Sequence, residues 1–293
     1  MAVRKWSFTV APEDEGLRLD QVISQRTGLS RRKAREALKL GGVQVAKARV
    51  RVAGRVLKPG TEVRVAFDET LGALPDQPLE VVFEDAWLLA VNKPAGLPTQ
   101  GTWASDRHDV LALLRRQRPE LTLYLQHRLD QGTSGLLLLS KEAAVNAALT
   151  RQFTQHTLRK TYLARVSKPL GEACVVDRPI GRLKGANPGR FACEGDLLEP
   201  KAALTRFRPA TEEEARGLGP GPWVVAEPET GRTHQIRVHL ASLGNPVRGD
   251  RLYGGTPDPE LGLHAWKLEL QHPATGERLV LVAPPSRFRE AAG

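Results

Sequence analysis

Apolar side chains in the first part of the chain recur first at helical spacing and then at strand spacing. One helical pattern begins at Leu19 and ends before Gly28, and a second runs from the potential cap residue Ser30 through Leu38. Three pairs of valines then alternate with polar residues, as in half-buried strands: Val43 and Val45, Val50 and Val52, and Val63 and Val65. Two short helices and a small sheet are therefore predicted.

From residue 79 onward, short apolar runs dominate and helical patterns are fewer. The runs typical of strands are Val81–Phe83, Leu88–Val91, Leu136–Leu139, Tyr162–Val166, Ala202–Phe207, Trp223–Ala226, Leu263–Leu270 and Leu279–Val282. The helical patterns are Val110–Arg116, Ala143–Phe153 and His234–Leu243. Stretches rich in proline and glycine at 184–196 and 217–222 predict loops. This succession predicts an α+β body with a mixed or antiparallel sheet.

The charge distribution divides the chain in a similar way. Of the 293 residues, the first 67 contain 15 lysines and arginines against 6 acidic residues, whereas the remainder contains 28 against 27. The segment 68–78 has two prolines, one glycine and no basic residue, which predicts a linker. We therefore expect a small basic α/β domain over 1–67 and a second domain over 79–293. Such asymmetry is typical of a nucleic-acid-binding module, the alternative being a solvated basic face.

Several classes of protein are disfavoured by what the sequence lacks. There is no apolar run of the ~20 residues that a membrane span needs, and the N-terminus lacks the apolar core of a signal peptide. Cys174 and Cys193 are too few for a disulfide framework or a zinc site. Neither a phosphate-binding glycine loop nor a paired-histidine metal motif occurs. We expect a cytoplasmic protein, and the absence of these motifs gives a metal site little support.

The second predicted helix carries a row of cations. Arg31, Arg35 and Lys39 are spaced four residues apart and share one face, and Arg32 lies beside them. A row of guanidinium and ammonium groups on one surface is suited to the phosphates of a nucleic-acid backbone. These four residues are the predicted nucleic-acid contacts of the basic domain.

The most informative segment of the second domain is His127–Gly135, which directly precedes four leucines. It places Asp130 in a glycine-containing turn at the start of a buried strand. Because an unpaired buried charge costs several kcal/mol, this carboxylate must be paired, hydrogen-bonded or catalytic. The simplest alternative is a turn-capping residue held by Arg128. A serine hydrolase is disfavoured, since the residues around Ser134 do not form a nucleophile elbow.

Two further segments carry candidate chemistry. Arg237 lies beside the apolar side of the helix predicted over His234–Leu243, so it too requires an anionic partner. Tyr162 lies near the start of a predicted strand over Lys160–Val166.

Read together, these segments resemble the pseudouridine synthases of the branch that modifies large-subunit ribosomal RNA and some transfer RNAs. The matching segments, in the family's order, are 91–96, 127–135, 160–166, 231–239, 249–254 and 263–265. Departures are Gln131, where lysine is common, and the sequence Pro-Thr-Gln-Gly at 98–101. Segments 17–22, 29–38 and 41–45 resemble the RNA-binding domain of small-subunit ribosomal protein four.

The resemblance implies that the chain is an isomerase that converts uridine in RNA to pseudouridine, with Asp130 as the catalytic carboxylate. This reaction is redox-neutral, so the resemblance also implies that no metal or organic cofactor is needed. It further implies that Arg237 is the ion-pair partner of Asp130 and that Tyr162 stacks on the target base. Arg128 is implied to contact RNA, and Lys93 and Leu263 to line the pocket. Large-subunit ribosomal RNA is the expected substrate, with transfer RNA as the alternative, and a monomer is expected. A non-catalytic RNA-binding or ribosome-assembly factor on the same fold is the second hypothesis.

Overall fold

The structure is a computed structural model that describes residues 3–69, 71, 78–186, 189–216 and 218–285. It contains two compact units, one formed by 1–78 with 98–120 and the other by 79–97 with 121–293. The prediction of an uninterrupted second domain over 79–293 is therefore wrong, because residues 98–120 pack within the first unit. The expected linker lies outside the described residues at positions 70 and 72–77.

Helices and strands alternate irregularly along the described chain, as the α+β prediction requires. The helices are α1 (Leu19–Thr27), α2 (Arg31–Leu40), α3 (Val110–Gln117), α4 (Asn146–Thr154), α5 (Glu212–Ala215) and α6 (Gln235–Ser242). The first strands are β1 (Arg4–Thr9), β2 (Val43–Val45), β3 (Ala48–Arg49), β4 (Glu62–Phe67), β5 (Glu80–Glu84), β6 (Leu88–Lys93), β7 (Tyr124–Leu125), β8 (Ser134–Ser140) and β9 (Arg159–Arg165). The later strands are β10 (Cys174–Asp177), β11 (Ile180–Leu183), β12 (Phe191–Ala192), β13 (Leu197–Lys201), β14 (Leu204–Pro209), β15 (Trp223–Pro228), β16 (Leu263–Gln271) and β17 (Arg278–Val282).

The first unit packs α1 and α2 with a four-stranded sheet in the order β1-β4-β2-β3. The predicted cap is confirmed, because the Ser30 hydroxyl accepts a hydrogen bond from the Lys33 amide at 3.3 Å. Gly41 ends α2 in the left-handed conformation, with φ of 86°. The prediction of a strand at Val50 and Val52 is wrong: β3 ends at Arg49, and Val52 is exposed.

Residues 98–120 are attached to the first unit by polar contacts. The Arg51 guanidinium donates to both carboxylate oxygens of Asp106 at 2.5 and 2.6 Å, and the Asp106 amide donates to the Leu40 carbonyl. A second guanidinium, that of Arg49, donates to the Thr102 carbonyl at 2.7 Å. These contacts join the strand and helix ends of the first unit to the segment that leads into α3.

The second unit is built on a ten-stranded sheet, and this sheet is mixed, one of the two forms predicted. Its main path is β10-β14-β15-β9-β16-β8-β6-β5, with β17 paired to β16 and β7 paired to β8. Strands β8 and β16 run parallel, and the other paired strands of this sheet run antiparallel. Each residue of β8 is buried, which explains its run of four leucines.

A smaller sheet, in the order β12-β11-β13, lies in the same unit. Strand β12 falls inside the stretch 184–196, so the prediction of loop structure throughout that stretch is wrong. The helix predicted over Ala143–Phe153 begins instead with a short 3₁₀ turn, and α4 follows it. Within the described residues, none of the helices combines the length and apolar character that a membrane span requires.

Candidate active site

Asp130 lies in a turn that leads directly into β8, an interior strand of the large sheet. The Asp130 carbonyl accepts a hydrogen bond from the Thr133 amide at 3.1 Å, which closes the turn. The backbone carbonyl of the next residue, Gln131, accepts hydrogen bonds from the Gly96 amide at 2.8 Å and from the Lys93 ammonium at 3.2 Å. The turn is therefore held from outside, while the Asp130 side chain keeps 29% of its surface exposed.

Gly135 allows the strand after this turn to approach β16 closely. Its φ is +107°, and a Cβ atom there would lie 2.2 Å from the Ala265 carbonyl oxygen. One residue earlier, the Ser134 hydroxyl lies 2.8 Å from Nδ1 of His264, whose Nε2 donates to the Ala283 carbonyl at 3.0 Å. Burial lowers the pKa of His264 to about 4, so the imidazole is neutral and Nδ1 accepts from Ser134.

The helix α6 begins one residue later than predicted. His234 is its N-terminal cap and adopts the left-handed conformation, with φ of 57°. The Gln235 side chain organises the preceding loop, because its Oε1 accepts from the Thr230 hydroxyl at 2.6 Å and from the Arg232 amide at 3.0 Å. Ile236 and Leu240 anchor the helix in the apolar core over the sheet. Arg237 is thereby placed in the first turn of α6.

Arg237 has two carboxylate partners. Its Nε and Nη2 donate to Oδ2 and Oδ1 of Asp250 at 2.7 and 2.9 Å, a bidentate pair. Its Nη1 lies 3.5 Å from Oδ2 of Asp130. The partnership implied by the resemblance is present as this longer contact, while the bidentate partner is Asp250. These charges raise the pKa of Arg237 against the opposing effect of burial.

The loop that carries Asp250 is itself well ordered by hydrogen bonds. Asp250 has no exposed side-chain surface, and its Oδ1 also accepts from the amides of Leu252 and Tyr253 at 3.0 and 3.2 Å. The Tyr253 ring lies 5.1 Å from the guanidinium carbon of Arg237, within cation–π range. Asp250 and Tyr253 thus confine the arginine on two sides.

His234 links this loop to the carboxylate. Its Nδ1 lies 2.8 Å from the Tyr253 hydroxyl, and its Nε2 lies 3.8 Å from Oδ2 of Asp130. Burial is the main reason why the pKa of His234 is lowered, and Arg237 contributes in the same direction. A neutral imidazole therefore borders Asp130 at physiological pH.

Tyr162 comes from the interior of the sheet. It lies on β9 between Ala226 of β15 and Ala265 of β16, and its side chain is half-buried. Burial, and secondarily the nearby Asp130 charge, raises the pKa of the Tyr162 hydroxyl. The phenol therefore stays protonated and presents a neutral aromatic ring next to the carboxylate.

One pocket of about 100 Å³ is bordered by Asp130, Tyr162, His234 and Arg237. Asp130 is the sole carboxylate among the described residues that line it, whereas four lining residues are basic: Arg128, Lys160, Arg232 and Arg237. Lys160 donates to the Thr230 carbonyl at 2.9 Å. Burial, together with the charge of Arg232, lowers the pKa of the Lys160 ammonium to about 8. Such a cation-rich pocket with one carboxylate and an aromatic ring is suited to an anionic, planar substrate such as a nucleotide.

The remaining predicted residues of this site differ in their placement. Leu263 lines the pocket, and so does Arg128, which is exposed and makes no ion pair with Asp130 in the part of the chain that the structure describes. Lys93 is not among the lining residues, contrary to expectation. It is fully buried, and its ammonium donates to the carbonyls of Pro94, Leu97 and Gln131, so it holds the turns together.

The predicted basic row lies on the exposed face of α2 in the first unit. Arg31 and Arg35 converge on the fully buried carboxylate of Asp20 at 3.3 and 2.6 Å. Arg32 and Lys39 are exposed and make no hydrogen bond or ion pair through their side chains among the described residues. The charges of Arg31 and Arg35 are therefore partly neutralised by Asp20, whereas the side chains of Arg32 and Lys39 are accessible to a ligand.

Four residues around the carboxylate were not singled out in the sequence analysis as site residues: Lys160, His234, Asp250 and Tyr253. All four belong to the segments on which the family resemblance rests, at 160–166, 231–239 and 249–254. Only their position in these segments could have identified them from the sequence, because local spacing along the chain does not show that residue 250 lies beside residue 237.

The chain is similar to known proteins over most of its length. Residues 87–242 match the RNA pseudouridylate synthase family, and residues 17–64 match the S4 domain. A ribosomal large subunit pseudouridine synthase D from Nitrosomonas europaea is 36% identical over 300 residues, which cover 94% of this chain and 83% of the relative. A tRNA pseudouridine synthase C from Salmonella typhimurium is 37% identical over 223 residues, which cover 70% of this chain and 85% of the relative.

The solved structure of human RNA pseudouridylate synthase domain containing 1 has a TM-score of 0.60 and 27% sequence identity to this protein. The similarity covers 72% of this chain and 86% of the human one. The extent of these matches establishes that the chain belongs to the RNA pseudouridylate synthase family and carries an S4 domain.

Proposed function

We propose that Asp130 initiates the isomerisation of specific uridines in large-subunit ribosomal RNA. The C1′–N1 bond of the uridine breaks, the uracil turns over, and a new bond forms between C1′ and C5. The proton of C5 is released, and N1 gains a proton, so no oxidant or other reactant is consumed. The observation that carries the proposal is one carboxylate facing an aromatic ring inside a pocket lined by four cations.

Each neighbour of Asp130 has a physical task in this reaction. Attack on the sugar or base, or removal of a sugar proton, each requires an ionised carboxylate, and Arg237 lies at 3.5 Å to stabilise that charge. The Tyr162 ring holds the detached uracil by stacking, an interaction of ~1–3 kcal/mol. The base reaches this pocket only when it is flipped out of the RNA. The exposed Arg128 at the pocket edge is placed to occupy the vacated position or to hold the backbone.

The proposed choice of ribosomal RNA is supported by the extent of the relatives. The relative named for the large ribosomal subunit aligns with 94% of this chain, whereas the relative named for tRNA aligns with 70%. We further propose that residues 1–67 bind RNA through Arg32, Lys39 and their neighbours, and that the unit containing Asp130 carries out the reaction. We place the reaction in the cytoplasm, where ribosomal RNA is found.

Asp130→Asn tests the proposed chemistry. The variant should release no tritium above background from a large-subunit ribosomal RNA transcript labelled at C5 of uridine, while its RNA affinity stays near that of the unaltered protein. Asp258→Asn is the matched control, because Asp258 also pairs with arginines, at 3.4 and 3.5 Å, but lies outside the pocket. Turnover by the Asp130 variant would refute the role of this carboxylate. Activity on transfer RNA transcripts alone would correct the substrate.

A further inference from the structure

A second cavity, of about 340 Å³, adjoins the candidate active site. It shares two lining residues, Gly231 and Arg232, with the pocket of Asp130. Its other walls come from the small sheet and from Thr233 in the loop before α6, and none of these wall residues has a task in the reaction derived above. The lining residues from the small sheet are Ile180, Gly181, Arg182, Phe191, Leu198, Glu199 and Lys201.

Cations outnumber acids in this cavity. Arg182, Lys201 and Arg232 line it together with a single carboxylate, that of Glu199. Arg182 and Glu199 are 3.3 Å apart with side chains 57% and 79% exposed, so their ion pair is weak and open to replacement by a phosphate. Arg232 is anchored at the boundary of the two pockets, since its Nε donates to the Ala202 carbonyl at 2.9 Å. The cavity is thus suited to an anionic ligand.

Phe191 supplies an aromatic side chain to the same cavity. Its amide donates to the Tyr253 hydroxyl at 3.2 Å, and its half-buried ring lies edge-on to His234, with centroids 6.0 Å apart at 81°. Two residues that border Asp130 or Arg237 therefore position Phe191. An aromatic ring beside cations is the combination that single-stranded nucleic acid requires, since bases stack and phosphates pair with the charges.

We propose that this cavity binds the nucleotide next to the target uridine in the RNA chain. Its base would stack on Phe191, and its phosphate would pair with Arg182 and Arg232. The inference rests on the proposed function, because a uridine flipped into the first pocket brings its covalently linked neighbour to the shared wall at Arg232. The second cavity thereby makes turnover depend on a base that is not itself modified.

The test uses the full-length protein and a short synthetic RNA centred on the uridine that is modified in the ribosomal transcript. Versions of this RNA carry an abasic nucleotide at one or other neighbour of the uridine. For the unaltered protein, kcat/KM should fall roughly tenfold at one of the two abasic positions, the size expected for one lost stacking interaction.

Phe191→Ala should lower kcat/KM on the intact RNA by a similar factor and should lose almost nothing further on that abasic RNA. Phe191→Tyr keeps a ring and should restore activity. Arg182→Ala, at an exposed position that leaves the core unchanged, should raise KM several-fold, and added salt should diminish the difference. Arg278→Ala is the matched control, because Arg278 is an exposed strand arginine paired with Glu269 and outside both pockets.

The possible failures are distinct. If the unaltered protein forms pseudouridine but Phe191→Ala and Arg182→Ala behave like the Arg278 control, the second cavity does not bind the neighbouring nucleotide. The inference would also be overturned if Phe191→Ala and the abasic nucleotide each lowered kcat/KM and their effects multiplied when combined. If the unaltered protein is inactive on every ribosomal and transfer RNA, the proposed function itself fails.

Discussion

Replacement of Asp250 by asparagine is the sharpest test of how Arg237 is held beside the carboxylate. In Asp250→Asn, the side-chain oxygen remains best placed at Oδ1, where three donors converge. The new amide group then faces Nε of Arg237, where an acceptor stood at 2.7 Å. The variant keeps the shape of the side chain and removes its charge.

The expected loss of stability follows from burial. Asp250 has no exposed side-chain surface and Arg237 has 11%, and removing one partner of a buried pair costs about 3–5 kcal/mol. Because Asp130 remains as a second counter-charge, we expect the lower end of that range. A loss of about 3 kcal/mol corresponds to a fall in melting temperature of about 6–12 °C for a unit of this size.

The expected loss of activity comes from displacement of the guanidinium. Without Asp250, Arg237 turns towards Asp130, and a misplacement of about 1 Å costs roughly 100-fold in rate. We therefore expect the single-turnover rate constant of tritium release to fall about 100-fold, while the protein concentration that gives half of the maximal rate changes little. In the Arg237→Lys background, Asp250→Asn should lower the rate of tritium release almost no further, because Asp250 acts through Arg237. Asp258→Asn should keep the rate constant of the unaltered protein. An unaltered single-turnover rate constant in Asp250→Asn would refute the reasoning.

Two further predictions concern the buried imidazole of the large sheet and the cations of α2. Burial holds the pKa of His264 near 4, below its unfolded value of 6.5, so this group's contribution to stability is present above pH 6.5 and is lost as pH falls towards 4. Urea unfolding should show a loss of about 2 kcal/mol from this group between pH 7.5 and 5, and His264→Gln should lack that component. In the first unit, Lys39→Ala should reduce the slope of log affinity against log salt by about one, whereas Lys58→Ala, at an exposed turn, should not; equal slopes for both would remove α2 from the RNA contacts.

Periodicity predicted the strands and helices that bury a regular apolar face. The four leucines of β8 and the alternating valines of β4 lie within predicted segments, because burial on one or both faces imposes those patterns. By contrast, β13 exposes most of its residues and contains Pro200, so its sequence has neither alternation nor an apolar run. Its pairing with β11 comes from tertiary context that a local window does not contain.

The site was partly predictable for a related reason. The turn glycines and the apolar strand identified Asp130 as an unusual carboxylate, and the resemblance supplied Tyr162 and Arg237. Lys93 was placed wrongly because a lysine beside a Pro-Gly turn gives no local indication of whether its ammonium faces a pocket or backbone carbonyls. The partnership of Arg237 with Asp250 was missed for the same reason, since it depends on the path of the loop after α6.

That missed partnership changes how the carboxylate is available for chemistry. If Arg237 formed its bidentate pair with Asp130, both carboxylate oxygens would be occupied by strong charge-assisted hydrogen bonds. Instead, Asp250 takes Nε and Nη2, and Asp130 receives a single contact at 3.5 Å. In the reaction that we propose, the arginine lies beside Asp130 while lone pairs of both carboxylate oxygens remain open to the substrate. In that proposed reaction, Asp250 lets Arg237 lie beside Asp130 without occupying both of the oxygens that could react.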